Sequence, residues 1–322
     1  MAGKIVKPFR WISMLIAVFA IPILCCKPTT NEVPHQGRWG IYSLDLATQN
    51  TQLIYNADRE IQTLRLNHRG DAFVFAQKMD GDDNEHFEIN SVGVDGANFK
   101  RLTSNTLWDI YPAWSPDDSL IAFLSFGETG LDIYVMTSEG NNTRLLYDSG
   151  THDADIDWVG DRIVFTSNSQ VWTLKSNGTG PGQVTHPPRA GEWGQANLPF
   201  GDYDPRLSPD GTRIAFERLE GDADPHGNYN IYIVNVDGSG ETRLTSDGYS
   251  QGFAEWSHVG DRILYIVAAI NGAGQYDMYI MNADGTNKHN VTPEYFPADF
   301  LVHNAIFSKD DSKLYFIGEW WQ

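Results

Sequence analysis

The stretch Trp114-Ser-Pro-Asp-Asp-Ser-Leu-Ile-Ala-Phe123 decides the fold, because the chain repeats it. It returns as Leu207-Ser-Pro-Asp-Gly-Thr-Arg-Ile-Ala-Phe216, as Trp256-Ser-His-Val-Gly-Asp-Arg-Ile-Leu-Tyr265 and as Phe307-Ser-Lys-Asp-Asp-Ser-Lys-Leu-Tyr-Phe316. Weaker copies are Leu66-Asn-His-Arg-Gly-Asp-Ala-Phe-Val-Phe75 and Trp158-Val-Gly-Asp-Arg-Ile-Val-Phe165. Their first residues stand at 66, 114, 158, 207, 256 and 307, at intervals of 48, 44, 49, 49 and 51. A fixed period of this size marks a repeat architecture whose units bury their apolar faces only against one another.

Each unit has a second half. An alternating strand, such as Asp132-Ile-Tyr-Val-Met136, Asn230-Ile-Tyr-Ile-Val234 or Asp277-Met-Tyr-Ile-Met281, precedes a glycine turn and a short strand. Val94-Asp-Gly-Ala-Asn-Phe-Lys-Arg-Leu-Thr103, Val236-Asp-Gly-Ser-Gly-Glu-Thr-Arg-Leu-Thr245 and Ala283-Asp-Gly-Thr-Asn-Lys-His-Asn-Val-Thr292 show that turn. Asp-Gly between alternating strands is a strong hairpin signal, since glycine accepts the positive φ such turns need. Four strands in about 48 residues make a propeller blade. After residue 25 no stretch carries apolar residues at helical spacing. The unit at Phe307 leaves room for two strands, and Trp39-Gly-Ile-Tyr-Ser-Leu44 with Thr51-Gln-Leu-Ile-Tyr55 supply the missing two. The expected fold is therefore all-β: a six-bladed β-propeller of residues 37–322, its last blade closed by two N-terminal and two C-terminal strands. Closure removes the edges that an open array would expose.

The Trp-Ser-Pro-Asp-Asp/Gly turn with its Ile-Ala-Phe, and the later Asp-Gly-x-x-x-x-Arg-Leu-Thr, resemble the TolB-type propeller repeat. Similar repeats occur in the propeller domains of prolyl-oligopeptidase-like peptidases. The resemblance covers residues 37–322. It implies a stand-alone propeller without the α/β domain that precedes the propeller in TolB and without a hydrolase domain. It further implies a periplasmic protein that binds other envelope proteins.

The chain has 322 residues and a formal net charge of −19, from 42 acids against 23 bases. So acidic a surface repels phosphate backbones, which argues against nucleic acid as a partner. The two cysteines, Cys25 and Cys26, are adjacent, which excludes a disulfide framework and a thiolate metal site in the folded part. Lys4, Lys7 and Arg10 precede an apolar run from Trp11 to Leu24, which reads as an export segment over residues 1–25. Ile23-Leu24-Cys25-Cys26 resembles a bacterial lipobox, which implies lipid on Cys26 or Cys25; an uncleaved N-terminal anchor is the other reading. Residues 26–36, with Lys27-Pro-Thr-Thr-Asn-Glu-Val-Pro34, read as a polar tether. Removing residues 1–25 takes away three cations and no acid, leaving −22. The expected location is periplasmic or cell-surface, with membrane attachment through lipid or anchor.

The innermost strand of each blade is expected to start at the aligned Trp, Leu or Phe. The Pro-Asp-Gly and Asp-Gly turns, with Asp117, Asp118, Asp210 and Asp237, then lie on one face and carry structure. Five residues before the aligned position stand Asp109, Asp153, Asp202 and Gln251, flanked by Asp155 and Asp204. Such a row at the channel mouth offers oxygens to a hard cation, and Asp109, Asp153 and Asp202 are the candidate ligands of Ca²⁺. The other reading has each aspartate bonding the backbone of its own loop. His152 and His303 fall near the same mouth. Trp108, Trp193 and Tyr203 are candidates for an aromatic lining, Trp193 lying within the long insertion His186–Phe200 and Tyr203 just after it; the other reading has them pack the loop. The acidic loops at Asp80–His86 and Gly221–His226 read as solvated. Gly248-Tyr-Ser-Gln-Gly252 matches a nucleophile elbow in letters only, since strands flank it on both sides.

These residues point to a non-enzymatic, monomeric propeller that presents an acidic mouth to an envelope protein or a basic peptide. The alternative is a carbohydrate lyase or hydrolase with a divalent ion at the propeller centre.

Overall fold

A computed structural model describes residues 32–79, 86–126, 130–196, 198–221, 228–268 and 276–321. The export segment, Cys25, Cys26 and most of the two acidic loops lie outside the described residues.

The strands follow the repeat. β1 (Trp39–Asp45) and β2 (Thr51–Ala57) come first. The next blade holds β3 (Ile61–Leu66), β4 (Ala72–Lys78), β5 (Phe87–Gly93) and β6 (Lys100–Arg101). Then come β7 (Asp109–Trp114), β8 (Leu120–Phe126), β9 (Leu131–Thr137) and β10 (Arg144–Tyr147). β11 (Asp153–Val159), β12 (Arg162–Ser167), β13 (Gln170–Lys175) and β14 (Gly182–Gln183) follow. β15 (Gly201–Leu207), β16 (Arg213–Gly221), β17 (Asn228–Asn235) and β18 (Thr242–Arg243) form the next blade. β19 (Ser250–Trp256), β20 (Arg262–Ala268), β21 (Tyr276–Asn282) and β22 (His289–Asn290) form the one after. β23 (Phe300–Phe307) and β24 (Lys313–Trp320) end the chain. These make six four-stranded antiparallel sheets, the last in the order β2-β1-β24-β23. The inner strands are β3, β7, β11, β15, β19 and β23. They end at or beside the aligned Trp, Leu or Phe rather than starting there, so the aligned residue marks the inner strand's exit into the turn.

The repeat letters have identifiable jobs. The serine after the aligned residue accepts the N–H five residues on: Leu120 to Ser115 Oγ (2.9 Å), Arg213 to Ser208 Oγ (3.0 Å), Arg262 to Ser257 Oγ (3.0 Å), Lys313 to Ser308 Oγ (2.9 Å). That serine donates in turn to the turn aspartate, as Ser115 does to Asp117 and Ser208 to Asp210. In the first blade Asn67 takes over, its Oδ1 accepting the N–H groups of Gly70, Asp71 and Ala72. The threonine closing Arg-Leu-Thr accepts a strand N–H: Ile89 to Thr103 Oγ1 (2.9 Å), Ile231 to Thr245 Oγ1 (2.9 Å), Met278 to Thr292 Oγ1 (2.7 Å). It extends the ladder where the outer strand has run out. Four outer strands are only two residues long, which leaves little edge to pair with another chain.

The second strands read as continuous apolar runs, such as Ile121-Ala-Phe-Leu124, because a blade packs against neighbours on both faces. Clusters such as Val74, Ile89, Ile110, Trp114, Ile121, Phe123 and Ile133 span the blade boundaries. Backbone contacts add to this: Asp118 accepts the N–H groups of His68 (2.8 Å) and Arg69 (3.0 Å) one blade back, and Asp311 does the same for His258 and Val259. Closure runs through β1 against β24, from Trp39 opposite Glu319 to Asp45 opposite Lys313.

Gly140 tests the inter-blade fit. Its φ is +81° and an added Cβ would stand 2.6 Å from the Leu102 carbonyl of the preceding blade, whereas Gly150, at φ +76°, has nothing within 4 Å of such a Cβ. Gly150→Ala carries only the conformational penalty, about 1 kcal/mol. Gly140→Ala adds a backbone clash and should lower stability by roughly 2–3 kcal/mol in denaturant unfolding. Equal losses at the two positions would mean that the blades do not meet at Gly140.

Candidate functional site

Every inner strand carries a β-bulge at the same place. Register slips between Gln62 and Arg65, Ile110 and Ala113, Ala154 and Asp157, Tyr203 and Arg206, Gly252 and Glu255, and Val302 and Ala305. The residue three before the aligned position sits in each bulge: Thr63, Tyr111, Asp155, Asp204, Phe253 and Asn304. Five of them adopt φ between +47° and +55°. That region is an outlier for Thr, Tyr and Phe, so the ring holds its bulges against local preference. The freed N–H groups are captured from the preceding blade. Asp155 Oδ2 accepts from Asp204 (3.2 Å), Glu217 Oε2 from Phe253 (2.9 Å), and Asn304 Oδ1 from Leu64 (2.8 Å).

All six bulge residues line one cavity of about 350 Å³ on the propeller axis. Trp108, Leu198, Tyr203, Tyr229, Tyr276 and His303 add to its wall, and Glu217 and Arg206 face it. It opens on the face opposite the Asp-Gly turns. Beneath it lies a charged floor. Arg206 reaches Asp204 (3.1 Å) and Glu255 (3.6 Å), and Arg65 stands 3.8 Å from the same Glu255 oxygen. Arg65 leaves Nε and Nη2 buried without a hydrogen bond among the described residues. A smaller cavity of about 180 Å³ lies beyond the floor, lined by Arg65, Asp157, Glu255 and the three tryptophans Trp114, Trp158 and Trp256.

Burial dominates the electrostatics. It pushes the Asp155 carboxyl up to about 7, with the Asp204 charge adding to it. It does the same to Glu255, to about 7, against the pull of Arg65 and Arg206. Glu217 is raised well above the ordinary carboxylate range, by burial first and then by Asp204. Burial also raises the Tyr111 and Tyr229 hydroxyls.

Of the residues singled out from the sequence, Trp108, Tyr203 and His303 line the cavity. Tyr203 places its hydroxyl 2.6 Å from Pro199 O and 2.9 Å from Ser169 Oγ. His303 Nε2 lies 2.8 Å from Glu319 Oε2, and Glu319 also takes Arg38 (2.8 Å). Asp109, Asp153, Asp202 and Gln251 are fully buried and lie outside the cavity wall. Asp109 takes Ser125 Oγ (2.5 Å) and Asn105 Nδ2 (2.7 Å), and Asp153 takes Ser149 Oγ (2.6 Å). Arg218 clamps both oxygens of Asp202 and also reaches Glu241. Gln251 donates to Asp247. Neighbouring side chains thus already hydrogen-bond to each of the three aspartates named as Ca²⁺ ligands, Asp202 faces a guanidinium, and Asp153 Oδ2 is buried without a partner among the described residues. Among the described residues no three His, Cys, Asp or Glu are placed to hold a metal ion. His152 accepts the Leu131 N–H at 3.3 Å and stands outside the cavity wall, as does Trp193, which is 57% exposed. Ser250 opens β19, with strands on both sides rather than a strand-to-helix turn.

The sequence reading missed Glu217, Tyr111, Tyr229 and Phe253. For Tyr111 and Phe253 the signal was the row three residues before the aligned position rather than five; Glu217 and Tyr229 come from the second and third strands of their blade, β16 and β17. A count of two along a strand puts both rows on one face, and the bulge between them cancels that rule.

No protein-family model matches the chain. A TolB homologue of Chlorobium luteolum is 26% identical over 161 residues, 48% of this chain and 33% of that protein. An uncharacterised protein of Agrobacterium fabrum is 24% identical over 178 residues, 52% of this chain and 57% of that protein. The Tol-Pal system protein TolB of Desulfosudis oleivorans is 31% identical over 98 residues, 29% of this chain and 22% of that protein. The matched stretch thus spans less than two thirds of each relative. Among solved structures, a TolB-type protein of Agrobacterium tumefaciens superposes with a TM-score of 0.68 at 17% identity, covering 88% of this chain and 98% of that one. TolB of Acinetobacter baumannii gives 0.61 at 15% identity, over 79% of this chain and 63% of that one. An oligogalacturonate lyase of Vibrio parahaemolyticus gives 0.55 at 11% identity, over 88% and 83%. At these identities the structural likeness speaks for the fold alone.

The raised Asp155 carboxyl sets a pH dependence. Its folded value of about 7 lies above its unfolded value near 3.8, so between these the folded state keeps a proton that the unfolded state has released. Stability therefore falls as pH rises through that window and levels off above it. Asp155→Asn keeps the acceptor for the Asp204 N–H and removes this loss. Its gain in thermal stability over wild type should be larger at pH 8 than at pH 4, by an amount on the order of a few kcal/mol. An equal difference at both pH values would show that Asp155 is ionised in the folded protein.

Proposed function

We propose that this chain, a propeller with TolB-like relatives, is an exported protein of the cell envelope that binds a protein or peptide partner at its axial cavity. One observation carries the reading. The cavity gathers one bulge residue from every blade, five of them in a left-handed backbone conformation, and that convergence sets Tyr111, Phe253, Asp155 and Asp204 around one opening. The partial similarity to TolB proteins supports an envelope setting. In this reading residues 1–25 export the chain, residues 26–36 tether it, Cys26 or Cys25 carries lipid or the segment stays as an anchor, and residues 37–322 act as a monomeric propeller. The excess of acids favours a basic partner surface, approached faster at low salt.

The lyase or hydrolase alternative with a divalent ion gains nothing from the donor set, because the carboxylates nearest the axis are each held by a backbone N–H or by arginine.

A photo-crosslinking amino acid in place of Phe253, which is 40% exposed at the cavity, should trap a discrete partner in intact cells. The same group in place of Ser239, in an Asp-Gly turn on the opposite face, should not. Raising the ionic strength of a membrane preparation from about 0.05 to 0.5 M should weaken the adduct at 253. Trapping at 239 with none at 253 would place the partner surface elsewhere and overturn the reading.

A further inference from the structure

Glu217 is the unexplained residue of the cavity. It belongs to the second strand of its blade, β16, yet its carboxylate reaches the axis because Gly252 leaves the space: a Cβ there would collide with Glu217 Oε2. The side chain is 8% exposed and accepts one hydrogen bond, from the Phe253 N–H at 2.9 Å. No cation stands within 4.0 Å of it among the described residues. Arg206, the guanidinium whose charge acts on it, is held against Asp204 and Glu255. A buried carboxylate with one N–H and no counter-charge is expensive to keep ionised, so burial holds Glu217 protonated until a cation arrives to replace the proton. Asp155 and Asp204 stand close enough to act on Glu217 electrostatically, so the wall holds three carboxylates against one guanidinium.

The rest of the wall selects the ligand. A divalent ion such as Ca²⁺ wants six or more oxygens. Here Asp155 and Glu217 each commit an oxygen to a backbone N–H, and the wall also carries the rings of Trp108, Tyr111, Tyr203, Tyr229 and Phe253 among aliphatic side chains. An ammonium or guanidinium group needs single carboxylate oxygens and gains from ring faces. Its alkyl stem suits an aromatic throat.

We propose that the cavity seats an organic cation, a primary ammonium or guanidinium on an alkyl stem, against Glu217, Asp155 and Asp204 and between the rings of Tyr111, Tyr203 and Phe253. This rests on the reading of the cavity as the binding site and names the chemistry it takes. The group reaches the cavity either as a lysine or arginine side chain of a partner or as a free diamine.

Calorimetric titration of the full chain in detergent separates these sources. The probes are cadaverine, Nα-acetyl-lysine methylamide, Nα-acetyl-arginine methylamide and the uncharged norleucine analogue of the lysine probe. At least one cationic probe should bind tenfold or more tighter than the norleucine analogue. Glu217→Gln, which keeps an acceptor for the Phe253 N–H, should weaken it at least tenfold. Phe253→Ala should weaken it several-fold and serves if Glu217→Gln fails to fold. Binding of the amino-acid probes alone assigns the cation to a partner side chain, and binding of cadaverine alone assigns it to a free diamine. No binding, equal binding of the norleucine analogue, or indifference to both substitutions overturns the proposal. If the crosslink at position 253 persists in that event, the partner-binding reading stands and only the cation is wrong.

Discussion

The capture of bulge N–H groups from one blade by side chains of the blade before is the contact on which the rest of this molecule depends. A bulge leaves a backbone donor without its ladder partner, and a buried donor must be satisfied. Asp155, Glu217 and Asn304 do this for Asp204, Phe253 and Leu64. The same contact fixes two things at once. It ties neighbouring blades together at the axis, and it holds the bulged residue with its side chain turned into the cavity. Functional surface and inter-blade adhesion are therefore made by the same atoms here. Repacking one without the other is difficult.

The fold was legible in the letters because the repeat is written in turn chemistry. Ser115, Asp117 and their equivalents occupy positions that a tight turn requires, and the requirement recurs at each blade. The closing blade was legible too, from a strand count that left two strands short at one end and two spare at the other. The site was legible only in part. Trp108, Tyr203 and His303 line the cavity, and the sequence reading named them because they lie at or near the starts of inner strands. Asp109, Asp153 and Asp202 were read as facing the channel because they stand five residues before the aligned position, but the bulge turns the residue two further on into the cavity, and a bulge has no letter of its own. Glu217 was invisible for another reason: it comes from a second strand, and only the absence of a side chain at Gly252 lets it through.

The net charge of −19 now divides by environment. Asp117, Asp210, Asp237, Asp284 and Asp310 accept local hydrogen bonds in exposed turns, which hold their carboxyls below the ordinary range, Asp117 and Asp310 at about 2. Asp155, Glu217 and Glu255 lie near the axis and are pushed the other way by burial. Acids of the same formal charge thus serve as permanent anions on the turn face and as proton-holding groups at the axis.

Closure of the ring has a temporal side. The bond between Arg38 and Glu319 joins residues 281 positions apart. Bringing such distant segments together carries a loop entropy of roughly 5 kcal/mol, which no contact within the other five blades must meet. A ribosome releases β1 and β2 long before it makes β24, so these two strands wait with open edges while five complete blades and β23 are synthesised. The propeller is therefore sealed only by its final residues, and a chain stopped a few residues early would keep most of its blades and lose its ring.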